Sequence, residues 1–162
     1  MDEFQKKCLS SEPKLESCIV SPKKAHITVL LLCVEDERLD EVRSTFEQIC
    51  RENFSKDDIF NVKFEGVGRF GNRVLFACPT GNTDKIVSVS ETFKSKFSDQ
   101  DLFQDFKLSP HLTLMKVTRK SHKNIPGSAY EGLEDFCFGT QSFQSIQLLS
   151  MTKPETEVTS HQ

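Results

Sequence analysis

His26-Ile27-Thr28 and His111-Leu112-Thr113 repeat one pattern: an imidazole and a hydroxyl two residues apart within an apolar run. The chain has only four histidines, and two of them stand in these settings, AHITVLLL at 25–32 and PHLTLMKV at 110–117. Along an extended strand, side chains at i and i+2 point to the same face, so each stretch presents its His and Thr together. One neutral imidazole can take a proton from an attacking hydroxyl while a second, protonated one donates to the leaving oxygen. The hydroxyls of Thr28 and Thr113 can hold non-bridging phosphoryl oxygens. These four groups would be enough for phosphodiester transfer by placement and charge complementarity, with no metal. The competing account is two unrelated histidines hydrogen-bonded for structural reasons.

Other chemistries have less to work with. Two histidines and a cysteine could hold zinc, but no third ligand has suitable spacing and no HExxH occurs, so neither metal nor cofactor is expected. Gly66, Gly68 and Gly71 do not form a P-loop, because no GK[ST] follows and a strand rather than a helix comes next. There is no GxSxG, and no Ser or Cys has an identifiable base partner. His122 stands among Arg119, Lys120 and Lys123, in a solvated basic loop that could alternatively close over a phosphate. His161 lies in a polar tail with no evident role.

The elements that must carry these residues are readable from periodicity. Residues 25–34 are almost continuously apolar and too short for a core helix, which predicts a buried strand. Leu39, Val42, Phe46 and Ile49 recur at spacings of three and four, predicting an amphipathic helix with Asp36 as its cap. IFNVKFEGVGRFGNRVLFACP predicts a strand over 59–64, a glycine-rich turn, and a strand over 74–78. Ile86, Val89, Phe93 and Phe97 mark a second helix over 83–97. Leu112–Val117 reads as a strand entered through Pro110, Tyr130–Phe136 as a short helix, and SFQSIQLLSM as a final strand. Each half thus runs from a His-x-Thr strand through helical sequence to another strand, a coarse repeat that can set the two motifs about a pseudo-twofold axis.

At 162 residues the chain can bury a real core. Its net charge of −3 gives no support to a basic nucleic-acid coat, although a small nucleotide site needs only a few donors. Most of the fourteen Phe are expected in the core. The six cysteines form no CxxC pair and the first residues are not a secretory signal, so reduced thiols and a cytoplasmic location, with the nucleus as a second compartment, are expected. No apolar run reaches the ~20 residues of a membrane span. The organisation expected is a polar, disordered segment over 1–21 with Cys18-Ile19-Val20 as its one short edge strand, a domain over 22–151, and a polar tail over 152–162.

The two His-x-Thr stretches resemble the signatures of the 2H phosphoesterases. Within that superfamily, FEGVGRFGNRVLF at 64–76, SPHLTLMKV at 109–117 and YEGLEDFCFGTQSFQSIQLLSM at 130–151 are similar to the central domain of the A-kinase anchoring protein gamma and delta isoforms. The resemblance covers roughly 22–151. It implies a bilobal α+β fold, with two pseudo-symmetric antiparallel sheets lining a central groove and helices outside. It also implies action on RNA-type phosphodiesters: 2',5'-linked oligoadenylates (the activator of the antiviral RNase L), 2',3'-cyclic ends or RNA tails, with AMP or CMP as ligands. By this resemblance His26 and His111 are catalytic and Thr28 and Thr113 bind phosphate. Phe70 in the glycine turn would stack on an adenine or else pack in the core, and Arg69 and Arg73 would approach phosphate or else be solvated. A nucleotide-binding or scaffolding module that has lost turnover would carry the same motifs. Family domains place a strand ahead of the first motif. Apart from Cys18-Ile19-Val20, residues 1–25 read as polar and irregular, so an open sheet edge or an incomplete groove is expected there. No amphipathic C-terminal helix of the kind that docks a kinase-A regulatory dimer is present, so that partner is not expected.

Overall fold

Helix α1 (Asp2–Ser11) occupies the stretch expected to be disordered, and a 3-10 helix follows at Pro13–Cys18. Phe4 and Cys8, one helical turn apart, are fully buried, and Leu15 and Cys18 are nearly so. The polarity of this segment misleads because one of its buried residues is Gln5. The Gln5 carboxamide donates from Nε2 to the carbonyls of Val20 and Leu114, at 2.8 Å each. Burial of a side-chain amide is tolerated when both its donors are used.

The structure is a computed structural model that describes residues 1–55, 57–98, 102, 107–118 and 124–151, with the backbone alone over 158–161. The basic loop of Arg119, Lys120, His122 and Lys123 lies outside the described residues. The remaining elements are α2 (Leu39–Asn53), β1 (Phe60–Phe70), β2 (Val74–Pro79), α3 (Thr83–Phe97), β3 (Leu112–Lys116), β4 (Cys137–Phe143), β5 (Ile146–Leu149) and β6 (Val158–His161). They form a four-stranded sheet in the order β3-β2-β1-β4 and a two-stranded sheet of β5 and β6. The chain divides into two compact units. One comprises Met1–Thr28, Val62–Thr83 and Ser109–Gln141, and the other Val29–Asn61, Asp84–Leu108 and Ser142–Gln162. The second pseudo-symmetric sheet is not formed among the described residues.

The first unit holds most of the four-stranded sheet, where β2 pairs antiparallel with both β1 and β3. Gly66 and Gly68 fall inside β1, not in a turn as the glycine spacing suggested. Gly66 takes φ +75° beside a bulge in the β1–β2 register, a conformation glycine reaches without steric cost. Leu75 pairs with Met115 and Phe76 with Thr113, so Leu114 is the extra residue of a second bulge. That insertion explains why the consecutive residues Leu114 and Met115 are both fully buried. The edge of β3 is met by Ile19, which bridges Met115, and by the amide of Val20, which donates to the Leu114 carbonyl at 3.1 Å. The short edge strand expected at Cys18–Val20 is thus reduced to a single bridge. The rings of Phe136 and Phe138 lie 5.4 and 5.2 Å from that of Phe4. Tyr130–Phe136 is not a helix. It runs as successive turns in which the Leu133 amide donates to the Tyr130 carbonyl and the Phe136 amide to the Leu133 carbonyl, with Gly132 at φ +76°.

The second unit is built on the two helices that periodicity predicted. Val42, Phe46, Ile49 and Cys50 of α2 and Phe93 and Phe97 of α3 are buried together with Leu102. Asp36 does not cap α2; it starts a 3-10 turn, and Arg38 occupies the cap position. Residues 25–34 do not form the buried strand expected, so the first His-x-Thr motif lies on irregular chain while the second enters β3. From Leu30 they alternate, with Leu30, Leu32 and Val34 half-buried against the helix core and Leu31 and Cys33 exposed. A stretch with one covered face explains the lack of full burial. The final strand expected over 142–151 is divided, since β4 ends at Phe143 and β5 starts at Ile146. The expected tail is also in part ordered backbone, because β6 pairs with β5 from Ile146↔His161 to Leu149↔Val158.

All six cysteines are free thiols. Burial pushes Cys8 and Cys50 up to about 11, from an ordinary value of 9.0. Above pH 9 the unfolded chain sheds these protons while the folded chain keeps them, so stability falls as pH climbs toward 11. The expected loss is on the order of 2 kcal/mol per thiol. Urea titrations between pH 8 and 11 should show a shallower decline in a Cys8→Ala/Cys50→Ala chain. Identical slopes would mean that other groups carry the alkaline loss.

Candidate active site

Both motif histidines make the same hydrogen bond. His26 Nδ1 lies 2.8 Å from the carbonyl of Lys24, and His111 Nδ1 lies 2.7 Å from the carbonyl of Ser109. Each ring folds back on the residue two positions upstream, and the local sequence favours this in both cases. Lys24 ends a 3-10 helix, Pro22–Lys24, and the extended Ala25 (φ −67°, ψ 125°) turns the chain so that the Lys24 carbonyl faces the following imidazole. Ser109 precedes Pro110, whose ring fixes its own φ and disfavours a helical conformation for the residue before it. A carbonyl can only accept, so in the neutral imidazole Nδ1 carries the proton and Nε2 keeps the lone pair. Both rings therefore offer Nε2 for acid–base work. Their tautomers are fixed in the way a backbone or carboxylate partner fixes a working histidine.

The surroundings of the two rings differ. His26 is exposed, whereas His111 is half-buried and braced by aromatic rings. Phe70 lies 4.8 Å from the His111 imidazole at 86°, and Phe76 lies 5.2 Å away at 57°. The two phenyl rings are themselves 4.5 Å apart. Phe70 is 41% exposed, which excludes the core-packing role considered from the sequence. Directly opposed residues of antiparallel strands share a face. Gly68 opposes Phe76 and Phe76 opposes Thr113, so these three form a row across β1, β2 and β3.

Thr28 and Thr113 are half-buried, and neither hydroxyl has a hydrogen-bond partner among the described residues. Arg69 and Arg73 are exposed and without a carboxylate partner among the described residues. Arg69 opposes the buried Leu75, in the row next to that of Gly68 and Phe76, so alternation directs it to the face opposite Phe70. Arg73 lies in the turn between β1 and β2, where its carbonyl accepts from the Val117 amide at 2.8 Å. All seven residues singled out from the sequence belong to the first unit. Phe70 is brought against His111. Phe76 and Gly68 were missed by sequence reading. The available signal was the alternation of Val74, Phe76 and Cys78 along β2, opposite a glycine. Among the described residues no three His, Cys, Asp or Glu side chains cluster as metal ligands, and no helix is long and apolar enough to cross a membrane.

The architecture is that of a 2H phosphoesterase. Among solved structures, TT0787 of Thermus thermophilus superposes with a TM-score of 0.59 at 17% identity, over 99% of this chain and 89% of that one. E. coli LigT, solved in complex with 3'-AMP, gives a TM-score of 0.52 at 15% identity, over 100% and 90% of the two chains. A further phosphoesterase gives 0.52 at 15%, over 100% and 91%. At such identities the likeness establishes the fold. The chain itself belongs to the family of the AKAP7 2'5' RNA ligase-like domain, whose model matches residues 1–160. No curated protein matches the chain.

Proposed function

We propose that this domain is a phosphodiesterase that cleaves 2',5'-linked oligoadenylate in the cytoplasm and nucleus, with His26 and His111 as its acid–base pair. The observation that carries the reading is the matched Nδ1-to-carbonyl bond, which leaves Nε2 without a partner on both rings among the described residues. In a 2',5' linkage the adjacent 3'-OH is a ready nucleophile. One Nε2 takes the proton of that hydroxyl as its oxygen attacks phosphorus. The bond from phosphorus to the 5'-oxygen breaks, and the other imidazolium gives its proton to that oxygen. The products are a 2',3'-cyclic phosphate and a free 5'-OH. The hydroxyls of Thr28 and Thr113, unpaired among the described residues, donate to the non-bridging oxygens, where donors aimed at developing charge contribute most. Phe70, exposed beside His111, offers a face for adenine, a contact worth about 1–3 kcal/mol. Arg73, in the turn beside Phe70, supplies positive charge toward a flanking phosphate, whereas Arg69, on the opposite face of β1, is left without that role.

The likeness to LigT, solved with 3'-AMP, supports a nucleotide as the occupant. The test is incubation of the purified protein, in EDTA, with 2',5'-linked triadenylate and with its 3',5' isomer. Selective cleavage of the 2',5' form is expected. Cleavage of 2',3'-cyclic phosphates alone would move the domain to RNA-end processing. AMP binding with no cleavage of any substrate would make it a nucleotide-binding module.

A further inference from the structure

We infer that Phe76 is a positioning residue for His111, and that position 68 is glycine because any side chain there would dislodge the Phe76 ring. This rests on the acid–base reading of His111 above. A single hydrogen bond at Nδ1 lets an imidazole pivot about the Nδ1···O line. Two rings set against it, Phe70 at 86° and Phe76 at 57°, remove that freedom. Of the two, Phe70 is 41% exposed and sits at the strand end, so the ring that holds the trio in place is Phe76, inside β2 and in contact with both. His26 has no ring contact among the described residues, so the brace belongs to the second motif alone.

The place for Phe76 is made by what Gly68 lacks. A Cβ built on Gly68 would fall 2.4 Å from Cε2 and 2.5 Å from Cζ of Phe76, and 3.3 Å from Cys78 Sγ. The phenyl ring therefore lies over bare backbone of β1. Non-bonded carbons rest about 3.5–4.0 Å apart, so even alanine must drive the ring aside by about 1 Å. Its neighbours in that displacement are Phe70 and His111. A misplacement of about 1 Å at a reacting group can cost about 10²-fold in rate.

The experiment compares Gly68→Ala, Phe76→Leu and the double variant by steady-state kinetics and by the imidazole ¹H–¹⁵N resonances of His26 and His111. Gly68→Ala is expected to lower kcat by about 10²-fold, with a smaller rise in KM from the shift of Phe70, so that the main loss is of transition-state positioning. The His111 resonances should move and those of His26 should stay. Phe76→Leu should lose less and also move His111. The double variant should lose far less than the sum of the two, because with the ring gone the added methyl meets only Cys78 Sγ among the neighbours that the Cβ approaches. Unmoved His111 resonances, equal movement of both histidines, or losses that simply add would overturn the inference. Should Gly68→Ala not fold, Phe76→Leu decides alone, since it removes the contact without adding a clash. The resonances need no substrate. A wild-type chain that cuts nothing would therefore sink the phosphodiesterase reading, while the brace would stand or fall on the spectra.

Discussion

His26→Ala and His111→Ala are each expected to lower the rate of 2',5'-phosphodiester cleavage by about 10²–10⁴-fold, the scale of a positioned proton transfer. The two losses should be far from additive. Once either proton transfer fails, the other histidine has little left to accelerate, and the double variant should resemble the worse single one. Binding of AMP should survive in His26→Ala, because His26 is exposed and touches no ring among the described residues. It should weaken in His111→Ala, which removes a contact of Phe70, the face offered to the base. Measuring kcat and the AMP dissociation constant for both variants separates these effects. Full activity in either single variant would refute the acid–base pair.

Phe93→Ala is expected to destabilise the second unit by about 3–5 kcal/mol, the cost of deleting a buried phenyl ring that its surroundings cannot refill. Phe93 is 3% exposed and stacks on three other rings, Phe46 at 5.5 Å, Phe54 at 5.8 Å and Phe97 at 6.4 Å. No single neighbour can close over the space without abandoning another stack. Since a domain has only about 5–15 kcal/mol in total, the loss should be visible as a large drop in the urea midpoint. Phe93→Leu keeps most of the volume and should cost much less. A cost below about 1 kcal/mol for the alanine variant would mean that the ring contacts are not the core of this unit.

What the sequence made legible was whatever repeats with a helical period or stands in an unmistakable motif. Helices α2 and α3 were readable because Val42, Phe46 and Ile49, and Ile86, Phe93 and Phe97, are both apolar and buried. The His-x-Thr spacing was readable for a similar reason, and it led to the family. Elements failed to show where a residue type concealed its role. Helix α1 was hidden because Gln5, a polar residue, is part of its buried side. Strand β1 was cut short because Gly66 and Gly68 looked like a turn, whereas one sits at a bulge and the other clears room for a ring. Residues 29–34 looked buried on both faces because every position is apolar, yet alternate positions face outward. The fold-back of each imidazole onto its own backbone could not be read at all, since it depends on local dihedral angles that Ala25 and Pro110 only favour.

The two hydrogens of the Gln5 carboxamide have a consequence outside chemistry at the site. Strand β3 is an end strand of its sheet, and end strands carry backbone groups that can template another chain. Here the outer side of β3 is taken up from within. Ile19 bridges it, Val20 donates to it, and Gln5 covers the same Leu114 carbonyl while also engaging the Val20 carbonyl. The N-terminal segment therefore closes this border of the sheet from within, beside the strand on which the second motif depends, and leaves fewer open backbone groups there for another chain to pair with.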